Sequence, residues 1–157
     1  MQVVINSPIG KIEIKGDVEG IESIIFLNAE ETCISNKIPI ELADAVMQLE
    51  EYFKGERKEF HLKLSLKGTP FQIQVWEELL KIPFGKTASY KEMASRLGNP
   101  NVIRAAASAN GKNPVAIVIP CHRVIGSDGS LTGYASGLER KKWLLELENP
   151  SRQQNLF

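Results

Sequence analysis

Ser89-Tyr90-Lys91-Glu92-Met93-Ala94-Ser95-Arg96-Leu97-Gly98-Asn99-Pro100-Asn101-Val102-Ile103-Arg104-Ala105-Ala106-Ala107-Ser108-Ala109-Asn110-Gly111 reads as two short helices on either side of a tight connection. Ser89 with Glu92 three residues on is a capping-box start, and Met93, Ala94 and Leu97 supply an apolar face that Gly98 ends. Asn99-Pro100 then opens a second helix, in which Val102, Ile103, Ala106 and Ala109 recur at helical spacing as far as Gly111. The pair is a helix-turn-helix candidate. Helical hairpins of this size also occur in proteins that never meet nucleic acid. The second helix sharpens the reading: Arg104 is one guanidinium among side chains too small to hold the backbone away from a groove. An Ala-rich helix also packs tightly on its neighbours, and both readings can hold on different faces.

Working outward, Thr69-Pro70-Phe71-Gln72 predicts another capped helix, with Pro70 in its first turn and an apolar stripe of Phe71, Val75, Trp76, Leu79 and Leu80 that Pro83 and Gly85 stop. Before residue 66 the pattern changes. Val3 to Ile5, Lys11 to Lys15 and Ile21 to Phe26 read as strands, separated by turns at Ser7–Gly10 and Gly16–Gly20. After Pro39 a helix carries Leu42, Ala45, Val46, Leu49, Tyr52 and Phe53 on one face and ends at Gly55. The expected organisation is a small α/β unit over residues 1–66, a mainly helical unit over 67–150 and a flexible tail over 151–157.

The formal charge of zero hides an asymmetry. Residues 1–66 carry 7 Lys+Arg and 12 Asp+Glu, giving 7 − 12 = −5, and residues 67–157 carry 12 and 7, giving 12 − 7 = +5. A polyanionic partner would be drawn to the helical half. No apolar run approaches the roughly 18 to 20 residues that cross a bilayer, so no membrane role is expected. Two cysteines in 157 residues without a leader sequence argue against a disulfide framework and for the cytoplasm. The scattered Cys33, His61 and His122 predict no metal site.

The chemistry concentrates after Val115-Ala116-Ile117-Val118-Ile119, which reads as a buried strand and runs into Pro120-Cys121-His122-Arg123-Val124. An imidazole and a guanidinium beside a thiol are surroundings that raise its thiolate fraction at neutral pH. Cys33, without such neighbours, reads as a small buried hydrophobe. The segment from Gly126 to Gly137 holds four glycines and one aromatic, Tyr134, and suits the wall of a pocket. A closing helix from Leu138 to Glu148 takes Trp143, Leu144 and Leu147 for the core and leaves Glu139, Arg140, Lys141 and Lys142 for solvent.

Together Gly68–Gln72, Phe84–Lys86, Ser89-Tyr90, the Arg104 helix, Gly111-Lys112-Asn113-Pro114, Ile119–Val124 and Gly133-Tyr134 through Gly137-Leu138 resemble the O6-alkylguanine-DNA alkyltransferase family, also called methylated-DNA-protein-cysteine methyltransferases. The resemblance is continuous from about residue 66 to 148 and looser before it. It implies a ribonuclease H-like N-terminal α/β domain and a winged-helix-like C-terminal domain that binds double-stranded DNA in the minor groove. It also implies a single-turnover transfer of the alkyl group from O6 of guanine to a cysteine, without a cofactor, by a monomer.

By that resemblance Cys121 is the alkyl acceptor, His122 its base through a water, Glu148 the group orienting His122, and Asn113 a brace for the segment. Tyr90 would donate to the departing guanine. Arg104 would be the inserted finger, with Ala105, Ala107, Ser108, Ser89 and Arg123 also on the DNA. Tyr134, Ala135, Val124 and Pro120 would line the guanine pocket. The chemistry is consistent, because a base inside a stacked duplex must be rotated out before a thiol can reach it.

Other functions fit less of the sequence. A winged-helix regulator leaves Cys121-His122-Arg123 without a purpose, and a cysteine hydrolase has no need of Arg104. A lesion sensor that binds flipped O6-alkylguanine and recruits other factors explains everything except the thiol. Outside the family pattern, Gln153-Gln154-Asn155-Leu156-Phe157 looks like a Q-x-x-L-F peptide of the kind that docks on bacterial sliding clamps.

Overall fold

Alternating apolar residues build the first sheet. Val3 and Ile5 of β1 (Gln2–Ile5), Ile12 and Ile14 of β2 (Ile12–Asp17) and Ile24 of β3 (Gly20–Phe26) lie on its buried face, in an antiparallel order β1-β2-β3 that sets Val3 opposite Ile14 and Ile14 opposite Ile24. The helix α1 (Ile40–Phe53) covers this face with Leu42, Ala45, Val46, Leu49 and Tyr52, all buried. The buried Gln48 amide on α1 fixes the returning chain, accepting from the His61 N–H at 2.9 Å and donating to the His61 carbonyl at 3.1 Å. The computed structural model describes residues 1–28, 33–131 and 133–149.

Two expectations change here. The turn between β2 and β3 is shorter than the Gly16–Gly20 stretch suggests, because pairing continues to Asp17 across a bulge at Lys15/Gly16 and resumes at Gly20. A Cβ on Gly16 would stand 2.6 Å from the Gly20 carbonyl oxygen, so the bulge requires glycine there. Cys33, expected in the core, is exposed. Its apolar neighbour Ile34 is exposed too, so the short irregular stretch they occupy contributes neither of them to the core.

The third edge of this unit comes from far along the chain. The Ile24 N–H donates to the Pro114 carbonyl and the Ala116 N–H donates to the Ile24 carbonyl, each at 2.9 Å. The first compact unit therefore comprises Met1–Lys67 with Pro114–Ala116, and the second comprises Gly68–Asn113 and the chain from Ile117 onward. The run Val115–Ile119 is buried throughout, as expected, but it is not a strand. Only Val115 pairs, after which the chain turns through Ile117 at φ 72°, a left-handed conformation that a β-branched residue rarely takes. Such a backbone costs on the order of 1–3 kcal/mol. A short buried apolar run does not by itself distinguish strand from turn.

In the second unit Thr69 caps α2 (Pro70–Leu79), and the reciprocal Gln72 bond completes the capping box. Trp76 and Leu79 are buried, and the Trp76 indole N–H donates to the Ala109 carbonyl at 2.9 Å, tying α2 to the end of α4 (Ile103–Gly111). Ser89 caps α3 (Tyr90–Arg96) by accepting from the Glu92 N–H at 3.0 Å. After Gly98, at φ 87°, a single 3-10 turn (Pro100–Val102) leads into α4. The sequence places the helix start at Asn99-Pro100; the α-helical part begins three residues later. Two two-residue strands, β4 (Ala88–Ser89) and β5 (Val124–Ile125), pair in parallel and join the start of α3 to the segment after Cys121. The last described helix is α5 (Leu138–Glu148). Among the described residues no helix is long and apolar enough to cross a membrane.

Candidate active site around Cys121

Cys121, His122 and Arg123 form one turn of 3-10 helix, held by bonds from the Cys121 N–H to the Ile119 carbonyl at 2.8 Å and from the Arg123 N–H to the Pro120 carbonyl at 3.0 Å. Three residues per turn send successive side chains in three directions. The three groups that the sequence places together therefore serve two separate clusters, both within the second unit.

The first cluster is a buried charge network. Arg123 is only 6% exposed; its Nε and Nη2 donate to the two Glu148 oxygens at 2.7 and 3.1 Å, and its Nη1 donates to the Ile82 carbonyl at 2.6 Å. The expectation that Arg123 contacts DNA is thus overturned: its guanidinium faces inward and is occupied. His122 is fully buried, with Nε2 2.7 Å from Glu148 Oε2. Burial pushes the Glu148 carboxyl up, but its interaction with His122, then the hydrogen bonds and charge of Arg123, overcome this and hold it at about 2. Burial lowers the pKa of His122 against the opposing pull of Glu148, so the ring is neutral. A neutral ring donating Nε2–H to the carboxylate carries its lone pair on Nδ1, which is buried and has no partner among the described residues.

The second cluster surrounds the thiol. Cys121 is 6% exposed, and burial raises its pKa. Opposing this are a hydrogen bond from the Asn113 side chain, the charge of Lys141, the local backbone and Tyr134. The cation that favours ionisation is therefore Lys141, not the adjacent His122 or Arg123 that sequence reasoning nominated. Asn113 also donates from Nδ2 to the Ile119 carbonyl at 2.8 Å, bracing the chain just before the nucleophile. Lys141, assigned to solvent from the sequence, is instead buried. Its Nζ donates to the Gly133 carbonyl at 3.3 Å and stands 6.0 Å from the centre of the Tyr90 ring. It sits one helical turn before Leu144 and two before Glu148 on the buried face of α5, and that 3–4 spacing was the available signal.

The remaining expected residues divide. Tyr90 is half-buried at the start of α3, and its hydroxyl lies beside Gly133, 3.8 Å from where a Cβ on that glycine would stand. The Tyr134 hydroxyl is sealed from solvent and interacts electrostatically with Cys121, and Ala135 is exposed. Pro120 and Val124 are buried, Val124 beside Tyr90, Met93 and Asn110 around a narrow void. On α4, Arg104, Ala105 and Ser108 are exposed, Ala107 half-exposed, and Ala106 and Ala109 buried. One face of the helix packs and the other is free to approach a partner. Ser89 is half-buried, with its hydroxyl capping α3. Among the described residues, no three His, Cys, Asp or Glu side chains gather as metal ligands.

This arrangement sets a buried thiol, with a cation acting on it, next in the chain to a hydrogen-bonded His and Glu pair, in a small helical unit that offers an arginine on a face of small residues. The family description "6-O-methylguanine DNA methyltransferase, ribonuclease-like domain" matches residues 2–66, and "6-O-methylguanine DNA methyltransferase, DNA binding domain" matches residues 70–150. A methylated-DNA–protein-cysteine methyltransferase of Methanosarcina barkeri is 47% identical over 152 residues, covering 92% of this chain and 94% of its own length. The protein of the same name from Mycobacterium bovis is 46% identical over 149 residues, covering 92% and 89%. Among solved structures, Mycobacterium tuberculosis OGT in complex with DNA gives a TM-score of 0.84 at 43% identity and covers 98% of both chains. The O6-methylguanine DNA methyltransferase of Methanococcus jannaschii gives 0.66 at 25% identity, covering 94% and 93%. Matched in both halves and similar to these proteins along nearly its whole length, the chain belongs to the 6-O-methylguanine DNA methyltransferase family.

Proposed function

We infer that this protein repairs DNA directly, moving the alkyl group from O6 of guanine to Sγ of its own Cys121, once per molecule. The observation that carries this is a buried thiol followed in the chain by a buried imidazole whose Nε2 is bonded to Glu148 and whose Nδ1 meets no partner among the described residues. In the reaction the Cys121 proton passes to His122 Nδ1 by way of a water, and the imidazolium is stabilised by the Glu148 carboxylate. Sulfur attacks the alkyl carbon, the S–C bond forms and the C–O6 bond breaks. The electron pair leaves with guanine, which takes up a proton as Tyr90 donates to it. Lys141, placed over the Tyr90 ring and near the thiol, favours charge on sulfur.

The substrate is double-stranded DNA approached from the minor groove by α4. Arg104 fills the gap left by the rotated base, while Ala105, Ala107 and Ser108 permit the close approach, with Ser89 at the rim. Tyr134 and Ala135 wall the base pocket, backed by Pro120 and Val124. The protein acts as a monomer in the cytoplasm, where reducing conditions keep Cys121 a thiol. Gln153–Phe157, the candidate sliding-clamp peptide, lies outside the described residues. Unchanged clamp binding after deletion of residues 153–157, or none in the intact chain, removes that assignment.

Intact mass decides the central reading. After incubation with an oligonucleotide carrying O6-methylguanine, the protein gains one methyl at Cys121, and Cys121→Ala gains none. A wild-type protein that binds the lesion but stays unmodified is a sensor, and the transfer reading fails.

A further inference from the structure

The Tyr134 hydroxyl is sealed from solvent, completes no hydrogen bond of good geometry among the described residues, and has Cys121 as the side chain that acts on it most strongly. A buried O–H without an acceptor costs on the order of 1–3 kcal/mol. Exchanging Tyr for Phe would remove that cost and keep the ring, so packing gives no reason for the hydroxyl. A neutral thiol is a weak acceptor, whereas a thiolate is a strong one. The hydroxyl is therefore unsatisfied while Cys121 holds its proton and becomes satisfied as negative charge grows on sulfur.

We propose that Tyr134 is a catalytic residue as well as a pocket wall: its hydroxyl donates a hydrogen bond to the Cys121 sulfur as the thiol ionises and attacks. This rests on Cys121 being the alkyl acceptor. No atom is transferred from Tyr134; the thiol proton still leaves toward His122, and the phenol proton stays on oxygen. Burial and the neighbouring Cys121 keep the phenol protonated, with Arg140 opposing and Glu148 reinforcing them. The other groups acting on the sulfur are Asn113 and Lys141. Once the alkyl group is attached, sulfur becomes a thioether, again a poor acceptor. The contact thus exists only around the charged state, which is what lowers a barrier rather than merely tightening binding.

Tyr134→Phe tests this in three measurements on the full chain. The rate of Cys121 alkylation by iodoacetamide as a function of pH should show the thiol's apparent pKa shifted upward by about one unit, from the loss of one charge-assisted bond. The single-turnover methyl-transfer rate at saturating O6-methylguanine duplex should fall about tenfold or more, with lesion affinity unchanged. The urea midpoint should equal or exceed that of the wild type, because an unsatisfied buried hydroxyl has gone. A variant whose pH profile overlays the wild type overturns the proposal, as does one with weakened lesion affinity and an unchanged saturating rate. A wild-type chain that takes no methyl at Cys121 overturns the underlying reading instead.

Discussion

Arg123 grips Glu148 through both carboxylate oxygens, and one of those oxygens also receives His122, so a single buried acid holds the imidazole in place and neutralises the cation. Breaking such a buried pair leaves an uncompensated charge. Glu148→Gln is expected to destabilise the fold by about 3–5 kcal/mol. Arg123→Lys should also destabilise it, since an ammonium cannot fork between the two oxygens while reaching the Ile82 carbonyl. Urea unfolding followed by tryptophan fluorescence checks both.

The same network sets the response to acid. Glu148 titrates at about 2 when folded and near ~4.3 when unfolded, so its contribution is fully present above that upper value and is lost as pH falls toward 2. The pKa of His122 is lowered on folding, so the unfolded chain takes up the proton first and stability erodes as pH falls below ~6.5. Both act in one direction. Unfolding free energy should fall from pH 7 to pH 5 through His122 and more steeply from pH 4 to pH 2 through Glu148. In Glu148→Gln the lower step should flatten.

Lys141→Met keeps most of the buried stem and removes the charge that favours ionised Cys121. The apparent pKa of Cys121 should rise and methyl transfer at pH 7.5 should slow by about tenfold, with recovery at higher pH. Rates measured by quenched single turnover across pH 6.5 to 9.5 decide it. A loss of the same size at every pH would assign Lys141 to packing alone.

Arg104→Ala should slow transfer from duplex DNA far more than transfer from the free base O6-benzylguanine, because extrusion is needed only for the duplex. Arg104 is exposed on α4, so the folded state should tolerate the change. Equal losses on the two substrates would remove the finger assignment.

Much of this was legible in the sequence. Thr69 and Gln72, Ser89 and Glu92, and the 3–4 spacing of Leu42, Ala45, Val46 and Leu49 are local signals, and the structure follows them. What local signals could not reach was set by tertiary contacts or by backbone geometry. The partner of Arg123 lies 25 residues away in sequence, and Lys141 is buried because of what α5 packs against rather than because of its own chemistry. Adjacency in sequence suggested that His122 and Arg123 act on Cys121 directly; the 3-10 turn points both at Glu148 instead, which leaves His122 only a route through water to the thiol. Val115–Ile119 carried a true signal of burial that said nothing about Ile117 leaving the strand conformation.

The edge that Pro114–Ala116 adds beside Ile24 has a consequence for how the chain comes to be folded. Ile24 and Val115 are 115 − 24 = 91 residues apart, so the first unit's sheet cannot be finished from the first 67 residues alone. During synthesis the N-terminal sheet waits with an open edge while the helices of the second unit emerge, a long-range closure of the kind that slows folding and exposes unpaired strand to other chains. The sequence boundary near residue 67 separates two compositions, but the first compact unit takes its last three residues, Pro114–Ala116, from beyond it.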